Sequence, residues 1–417
     1  MAWPEGVGDW GLVPVTGVSR ATSQFSGIGP SCPFRSISSP PGECRKGSRH
    51  APRRMRHNRP MRRSSRAGAA CLLGISLLTD LVAPGIAPAA ETPIVNEVQD
   101  LLQISAEQRL RLVRGEVVSY SVVENSDREL AAGFAMILPV PLSEIADYLA
   151  SGQLIAQDEA ISDFGAVPDE APTGALVGPR FSRSEREEAE SLLAASPGTR
   201  FNLSLAEIDA LRTVKGSADT SAKTTAADMA SDAYRRLLHQ RLQAYRQGGL
   251  ATIAPYARTG GAVTDPAVDL RRAAADAERL ARLGAELHEA LLRYPAAQPP
   301  QMVNHFDWIK RRIQRRPHLS LLHRIVVADS GSIIHVERYF YVGHSFNANE
   351  ILTGAFAHRD GTLVFSINRV STDEVLGLGS QLKRTIGRAQ LRDEMRARLD
   401  RLQAFLIRPR STQSQSP

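Results

Sequence analysis

Two well-separated stretches of the chain alternate apolar and polar residues, while the long middle repeats its apolar residues at helical spacing. In the first stretch, Val117 to Val123 and Glu129 to Leu138 read as strands, and Asn125-Ser126-Asp127-Arg128 between them is a turn cluster. Residues 95–113 ahead of this hairpin read as helix, through Val95, Val98, Leu101, Leu102, Leu110 and Val113. Pro139 and Pro141 stop the second strand, and a helix follows over Ser143 to Ala150. Residues 151–180 carry Gly165, Pro168, Pro172, Gly174, Gly178 and Pro179 and read as loop.

The middle is helical. Ser182 to Ala195 is a charged helix, and Ser204 with Glu207 forms a capping-box signature for the next. Thr225 to Gln247 and Pro266 to Tyr294 are long amphipathic helices, expected to pair antiparallel across a Gly-rich turn. The second alternating stretch predicts four strands: His318 to Ala328, Ile333 to Val342, Phe346 to Ala357 and Thr362 to Arg369. A last helix follows over Thr372 to Ile407. Its stripe Leu378, Leu382, Ile386 is out of register with Leu391, Met395, Leu399, Leu402, Leu406, so a bend or a separate first turn is expected near Gly387. The fold class is therefore α+β: an antiparallel sheet packed by a long C-terminal helix, with a helical insertion over 176–300 between an N-terminal part at 90–175 and a C-terminal part at 301–408.

Charge divides along the chain. Of 51 Lys and Arg and 44 Asp and Glu, residues 1–89 hold 12 and 4, which leaves the remainder at a net −1. The basic balance is thus confined to the leader, and no nucleic-acid partner is expected. All three cysteines, Cys32, Cys44 and Cys71, fall there too, which excludes disulfides, cysteine-ligated zinc and cysteine nucleophiles beyond Ala90. Met61 to Arg66, the apolar run Ala67 to Leu78 and Ala87-Pro88-Ala89 form a signal-peptide pattern with cleavage near Ala89. Residues 1–60 are too poor in apolar period to fold, so translation is expected to start at Met55 or Met61 and the product to be periplasmic or secreted. Residues 409–417 read as a disordered tail.

Several lookalike motifs fail on context. Asp163-Phe164-Gly165 lacks every other kinase element, and His288-Glu289 has Leu292 where a zinc helix needs histidine. His344-Ser345 lacks the second glycine of a nucleophile elbow, and Asn202-Leu203-Ser204 carries no weight alone. No metal site and no cofactor is expected.

Two constellations remain. Phe306 to Arg316, taken as a helix, puts Phe306, Ile309 and Ile313 on one face and Lys310, Arg311, Arg312, Arg315 and Arg316 around the rest. Such a helix meets an anionic membrane surface or an acidic envelope protein; its bland counterpart is a surface helix whose arginines pair with nearby acidic helices. In the second, alternation puts His335, Glu337, Tyr339 and Tyr341 on one face of a strand and Arg338 on the other. If odd positions pair with odd, His323 faces Glu337 as an acid–base couple; a slip by one gives a plain Arg324–Glu337 ion pair.

Phe134 to Pro141, leading into the helix Ser143 to Ala150, resembles the strand–proline–helix entry of START-like, helix-grip domains, and the C-terminal strands with their long helix resemble that fold's closing half. Glu337 to Ser345, with Asp360 to Val364, resembles uncharacterised exported bacterial proteins. The resemblance covers about a third of the chain. It implies a cavity between sheet and helix that takes an apolar or lipid-like ligand, lined by Arg338, Tyr339 and Tyr341. Three readings follow: an exported, non-enzymatic binder of such a ligand or of an envelope partner; a hydrolase or lyase using His323, His335 and Glu337; and a structural envelope protein.

Overall fold

A computed structural model describes residues 93–168, 176, 178–216, 225–274 and 285–407. The expected leader, start site and C-terminal tail lie outside the described residues. The helices are α1 (Pro93–Leu101), α2 (Ala106–Val113), α3 (Leu142–Ser151), α4 (Gln153–Ala156), α5 (Arg186–Leu193), α6 (Leu205–Gly216), α7 (Ala226–Gly248), α8 (Pro266–Ala273), α9 (Ala285–Arg293) and α10 (Ser380–Leu406). The strands are β1 (Val118–Tyr120), β2 (Glu129–Leu138), β3 (Ile161–Ala166), β4 (Tyr256–Ala257), β5 (Val263–Thr264), β6 (Met302–Ile313), β7 (Arg316–Ala328), β8 (Ser332–Val342), β9 (Ala348–His358) and β10 (Gly361–Ser371).

Eight strands form one antiparallel sheet in the order β1-β2-β10-β9-β8-β7-β6-β3. The two alternating stretches therefore share a layer, joined where β2 pairs with β10 from Glu129↔Ser371 to Leu138↔Thr362. Gly361 makes the join possible, since a Cβ there would lie 2.0 Å from the Leu138 carbonyl oxygen.

Both faces of the sheet are covered. On one, Phe306, Leu321, Ile325, Val336, Phe340 and Phe365 pack against Leu238 and Tyr245 of α7, Leu270 of α8 and Leu291 of α9 in a common core. The helical middle is thus a third layer, sharing its interior with the sheet. Residues 275–284 of the expected second long helix lie outside the described residues; on either side of them stand α8, which ends at Ala273, and α9. On the other face, Leu391, Met395, Leu399 and Leu402 of α10 pack with Ile145 and Leu149 of α3 against Leu130, Phe134, Met136 and Val364.

The last helix departs from expectation at its start. A single turn, Asp373–Val375, precedes it, and α10 then runs unbroken through Gly387. Gly387 serves close approach: a Cβ would sit 2.6 Å from Cδ1 of Leu130. Leu378 and Leu382, from the out-of-register stripe, are exposed.

The basic segment is corrected outright. Residues 306–316 form no helix; they are the second half of β6 and its hairpin into β7. Spacing of three and four reads as one helical face, whereas β6 is buried on both sides, with Phe306 in one core and Ile309 in the other. Here β6 has β7 on one side and β3 on the other to satisfy its backbone groups, and the extended form wins. Most of the charge is consequently spent internally. Lys310 is buried with its ammonium 2.6 Å from Glu185, Arg316 lies 2.7 Å from Glu188, and Arg311 lies 3.7 Å from Asp158 and 3.6 Å from Glu394. Only Arg312 and Arg315 are exposed, beside and within a two-residue turn where Gln314 and Arg315 adopt φ of 51° and 61°. The sequence also hides α4 and β3, in a stretch rich in glycine and proline, and the short β4–β5 pair; Gly165 lets the Trp308 ring lie against the β3 backbone.

The apolar stripe of α10 makes a direct test. Leu399→Ala is expected to lower unfolding free energy by about 2–5 kcal/mol, read as a shift in urea midpoint without a change in slope.

Candidate functional site

The β7–β8 register decides the acid–base question raised by the sequence. Arg324 stands opposite Glu337 and His323 opposite Arg338, so the odd-with-odd register is not the one adopted. His323 and Glu337 occupy opposite faces. His323 points into the helical layer, where its Nε2 lies 2.8 Å from Asn304 Oδ1 and its Nδ1 lies 3.1 Å from the Tyr245 hydroxyl. With Nε2 donating to the amide oxygen, Nδ1 is left to accept from the tyrosine. Phe306 stacks on the ring at 4.5 Å. Burial, aided by Arg338, pushes the imidazole well below its ordinary pKa. His323 is a satisfied core histidine.

Arg338 and Tyr341 lie on the same helical side. Arg338 is fully buried, donating from Nε to Glu350 at 2.7 Å and from Nη1 to the Leu291 carbonyl at 2.6 Å. Tyr341 leaves the face predicted for it because of a bulge: Tyr339 pairs with Leu322 and Tyr341 with Leu321, so Phe340 is an extra residue in β8. Its hydroxyl meets that of Tyr234 at 2.8 Å. Neither residue lines the space beneath α10.

His335, Glu337 and Tyr339 do face α3 and α10, and there the sheet surface turns polar. Arg324 donates to Asp307 at 2.7 Å and to the Ala150 carbonyl at the end of α3 at 3.1 Å. Arg398 of α10 hydrogen-bonds Glu337 through Oε1, the oxygen that also lies 3.9 Å from His335 Nδ1. Helical geometry explains the contact. Gln390, Glu394 and Arg398 recur every four residues and form a polar stripe beside the apolar stripe that grips β2. Ring contact between Tyr148 and Phe405, with centroids 4.9 Å apart, ties α3 to α10 above this interlayer.

Within it, several buried polar atoms meet no hydrogen-bonding partner among the described residues. These are both ring nitrogens of His335, Oε2 of Glu337, Oδ1 of Asn349, Oδ1 of Asn368 and Oε1 of Gln390. Strand alternation puts Asn349 and Asn368 on the α10 side, where Asn349 is paired with Tyr339 across β8–β9 and Asn368 with Ile351 across β9–β10. An unmade hydrogen bond of this kind costs about 1–3 kcal/mol per group. Side chains from β8, β9, β10 and α10 incur that cost in one layer.

Burial lowers the His335 pKa to about 4, with Arg398 and Arg324 pushing the same way against the opposing pull of Glu337. For Glu337, burial favours the neutral acid, yet Arg398 and His335 outweigh it and hold the carboxyl below its ordinary value. Neutral imidazole beside ionised carboxylate is therefore the resting state. No cluster of three or more metal-ligating side chains occurs among the described residues, and no described helix is long and apolar enough to cross a membrane.

Elsewhere, Ser345 Oγ lies 2.6 Å from His344 Nδ1, and His344 Nε2 donates to the Pro317 carbonyl at 3.1 Å. Burial and Arg316 hold that histidine at about 3, which makes it a feeble base.

Sequence reasoning identified His335, Glu337 and Tyr339 but missed Arg398, Asn349, Asn368 and Gln390. Two signals pointed to them: asparagines at inward positions of otherwise apolar strands, and a polar row at four-residue spacing next to the leucines of α10. Comparison of the chain with protein-family models, curated proteins and solved structures gives no match.

Because the folded chain holds His335 at about 4, it binds that proton less readily than the unfolded chain does, whose histidine titrates near the ordinary 6.5. Its contribution to stability is therefore intact above about pH 6.5, is lost as the pH falls, and levels off below about 4. The loss is on the order of 3 kcal/mol. His335→Gln is expected to flatten that part of the stability profile, measured by urea unfolding at stepped pH.

Proposed function

We propose that the chain is an exported, non-enzymatic binding protein whose small polar guest lies between strands β8–β10 and helix α10. The observation that carries this reading is the set of unpartnered polar atoms from His335, Glu337, Asn349, Asn368 and Gln390 on facing elements of one layer. Unpartnered buried atoms occur elsewhere too, as at His239 and Asn347, but here those of five residues on facing elements share one interlayer, and a guest with its own hydrogen-bonding groups removes their cost. The signal-peptide pattern of Met61 to Ala89 supports export, and the helix-grip resemblance supports a site beneath the last helix.

Three features favour a polar guest over the apolar or lipid-like one implied by the resemblance. The apolar stripe of α10 rests directly on β2, with Leu130 against Gly387. The polar stripe is the part that faces unpartnered groups. Arg338 and Tyr341, expected in the cavity, are engaged on the opposite face. Recognition is also favoured over hydrolysis or lyase chemistry. Acid–base catalysis draws on groups poised near the working pH, whereas His335 sits at about 4 and His318, His323 and His344 are lowered as well.

Thermal-shift titration of the purified chain with small polar molecules and with a saturated fatty acid tests the proposal. Saturable stabilisation by a polar compound, abolished in a His335→Leu/Glu337→Leu variant, is the expected result. Stabilisation by the fatty acid that survives this double replacement rules the polar site out.

A further inference from the structure

Resting on the binding reading above, we infer that the guest under α10 carries a primary ammonium group. The inventory of unmet hydrogen bonds sets its class. Glu337 Oε2, Asn349 Oδ1, Asn368 Oδ1 and Gln390 Oε1 are all acceptors. Neutral His335 adds one acceptor nitrogen and a single N–H donor. A guest must therefore bring mainly donors, and an ammonium group brings three with no acceptor of its own.

Charge points the same way. Around the interlayer stand Asp158, Asp307, Glu337 and Glu394 against Arg311, Arg324 and Arg398, with Arg401 near Tyr148 at its edge and His335 neutral. The three arginines inside it are already engaged by carboxylates: Arg324 by Asp307, Arg398 by Glu337, and Arg311 by Asp158 and Glu394. Beside the unpartnered groups of β8–β10 an anion meets only guanidinium groups already held by carboxylates, while the second oxygen of Glu337 is left to take a cation. The Arg311–Glu394 contact is long at 3.6 Å and Glu394 is 44% exposed, so the rim on the α10 side is the least tightly closed.

Isothermal titration calorimetry on the purified chain tests this with three probes: 1,4-diaminobutane as the ammonium, glycerol as a neutral hydroxyl compound and propanoate as an anion. Diaminobutane is expected to bind saturably, and Glu337→Gln, which keeps the size and the bond to Arg398, to weaken it about tenfold or more. Asn368→Leu weakens binding as well, whereas Arg312→Gln on the exposed hairpin leaves it unchanged. The His335 imidazole resonances of the unmodified chain are expected to move during the same titration, a readout that needs no variant. Binding of glycerol or propanoate in place of the amine, lost on Asn368→Leu, overturns the ammonium class and leaves the polar site standing. Failure of all three probes to bind or to move the His335 resonances overturns the ammonium inference. If ordered waters also saturate the oxygens of Glu337, Asn349, Asn368 and Gln390, the binding reading falls with it.

Discussion

The pairing of β2 with β10 is the interaction on which the rest of the molecule depends. It joins residues 129–138 to residues 362–371 and so makes one sheet from two remote parts of the chain. The apolar stripe of α10 then lies on β2, with Leu130 against the bare backbone of Gly387. That contact fixes the helix in rotation as well as position. Once the leucines face β2, four-residue spacing leaves Gln390, Glu394 and Arg398 over the central strands. The polar interlayer is thus a consequence of helix geometry, and the Arg398–Glu337 bond is its anchor.

Burying charge beneath a helix is costly unless each group finds its counterpart. Asp307 with Arg324 and Glu337 with Arg398 meet that condition, whereas His335, Asn349 and Asn368 do not. The opposite face offers a comparison within the same sheet. There the equally buried His323 has both nitrogens bonded, and Arg338 is held by Glu350 and a helix carbonyl. His323 and the Nε and Nη1 groups of Arg338 are thus bonded on one face, whereas His335, Asn349 and Asn368 keep unmet groups on the other.

The α+β architecture was legible in the sequence because long alternating runs and an amphipathic last helix leave few other layers to build. Local ambiguity set the limits. Phe306, Ile309 and Ile313 share a helical face by spacing, and only pairing with β3 and β7 makes them a strand that buries residues on both sides. The Arg324–Glu337 register is set by the turn between Ala328 and Ile333, which alternation alone does not fix, and the face of Tyr341 by the extra residue Phe340, since alternation cannot reveal where a bulge falls. His335 and Glu337 could be placed together because they lie two apart on one strand. Arg398 could not, since its carboxylate is 61 residues away in sequence and meets it only after the sheet has closed. The role of Gly387 was hidden likewise, because a glycine inside a helix reads as a weakness until the residue lying against it is known.

The stability of the empty protein tests most directly whether the unpartnered groups are there for a guest. Asn349→Leu/Asn368→Leu replaces two amides with buried, unsatisfied oxygens, that of half-buried Asn349 and that of buried Asn368, with apolar side chains of similar size. Urea unfolding without any added ligand is expected to show this variant more stable than the unmodified chain, by about 1–3 kcal/mol. A loss of stability of that size contradicts the account, because it means that the amides already have the partners they need.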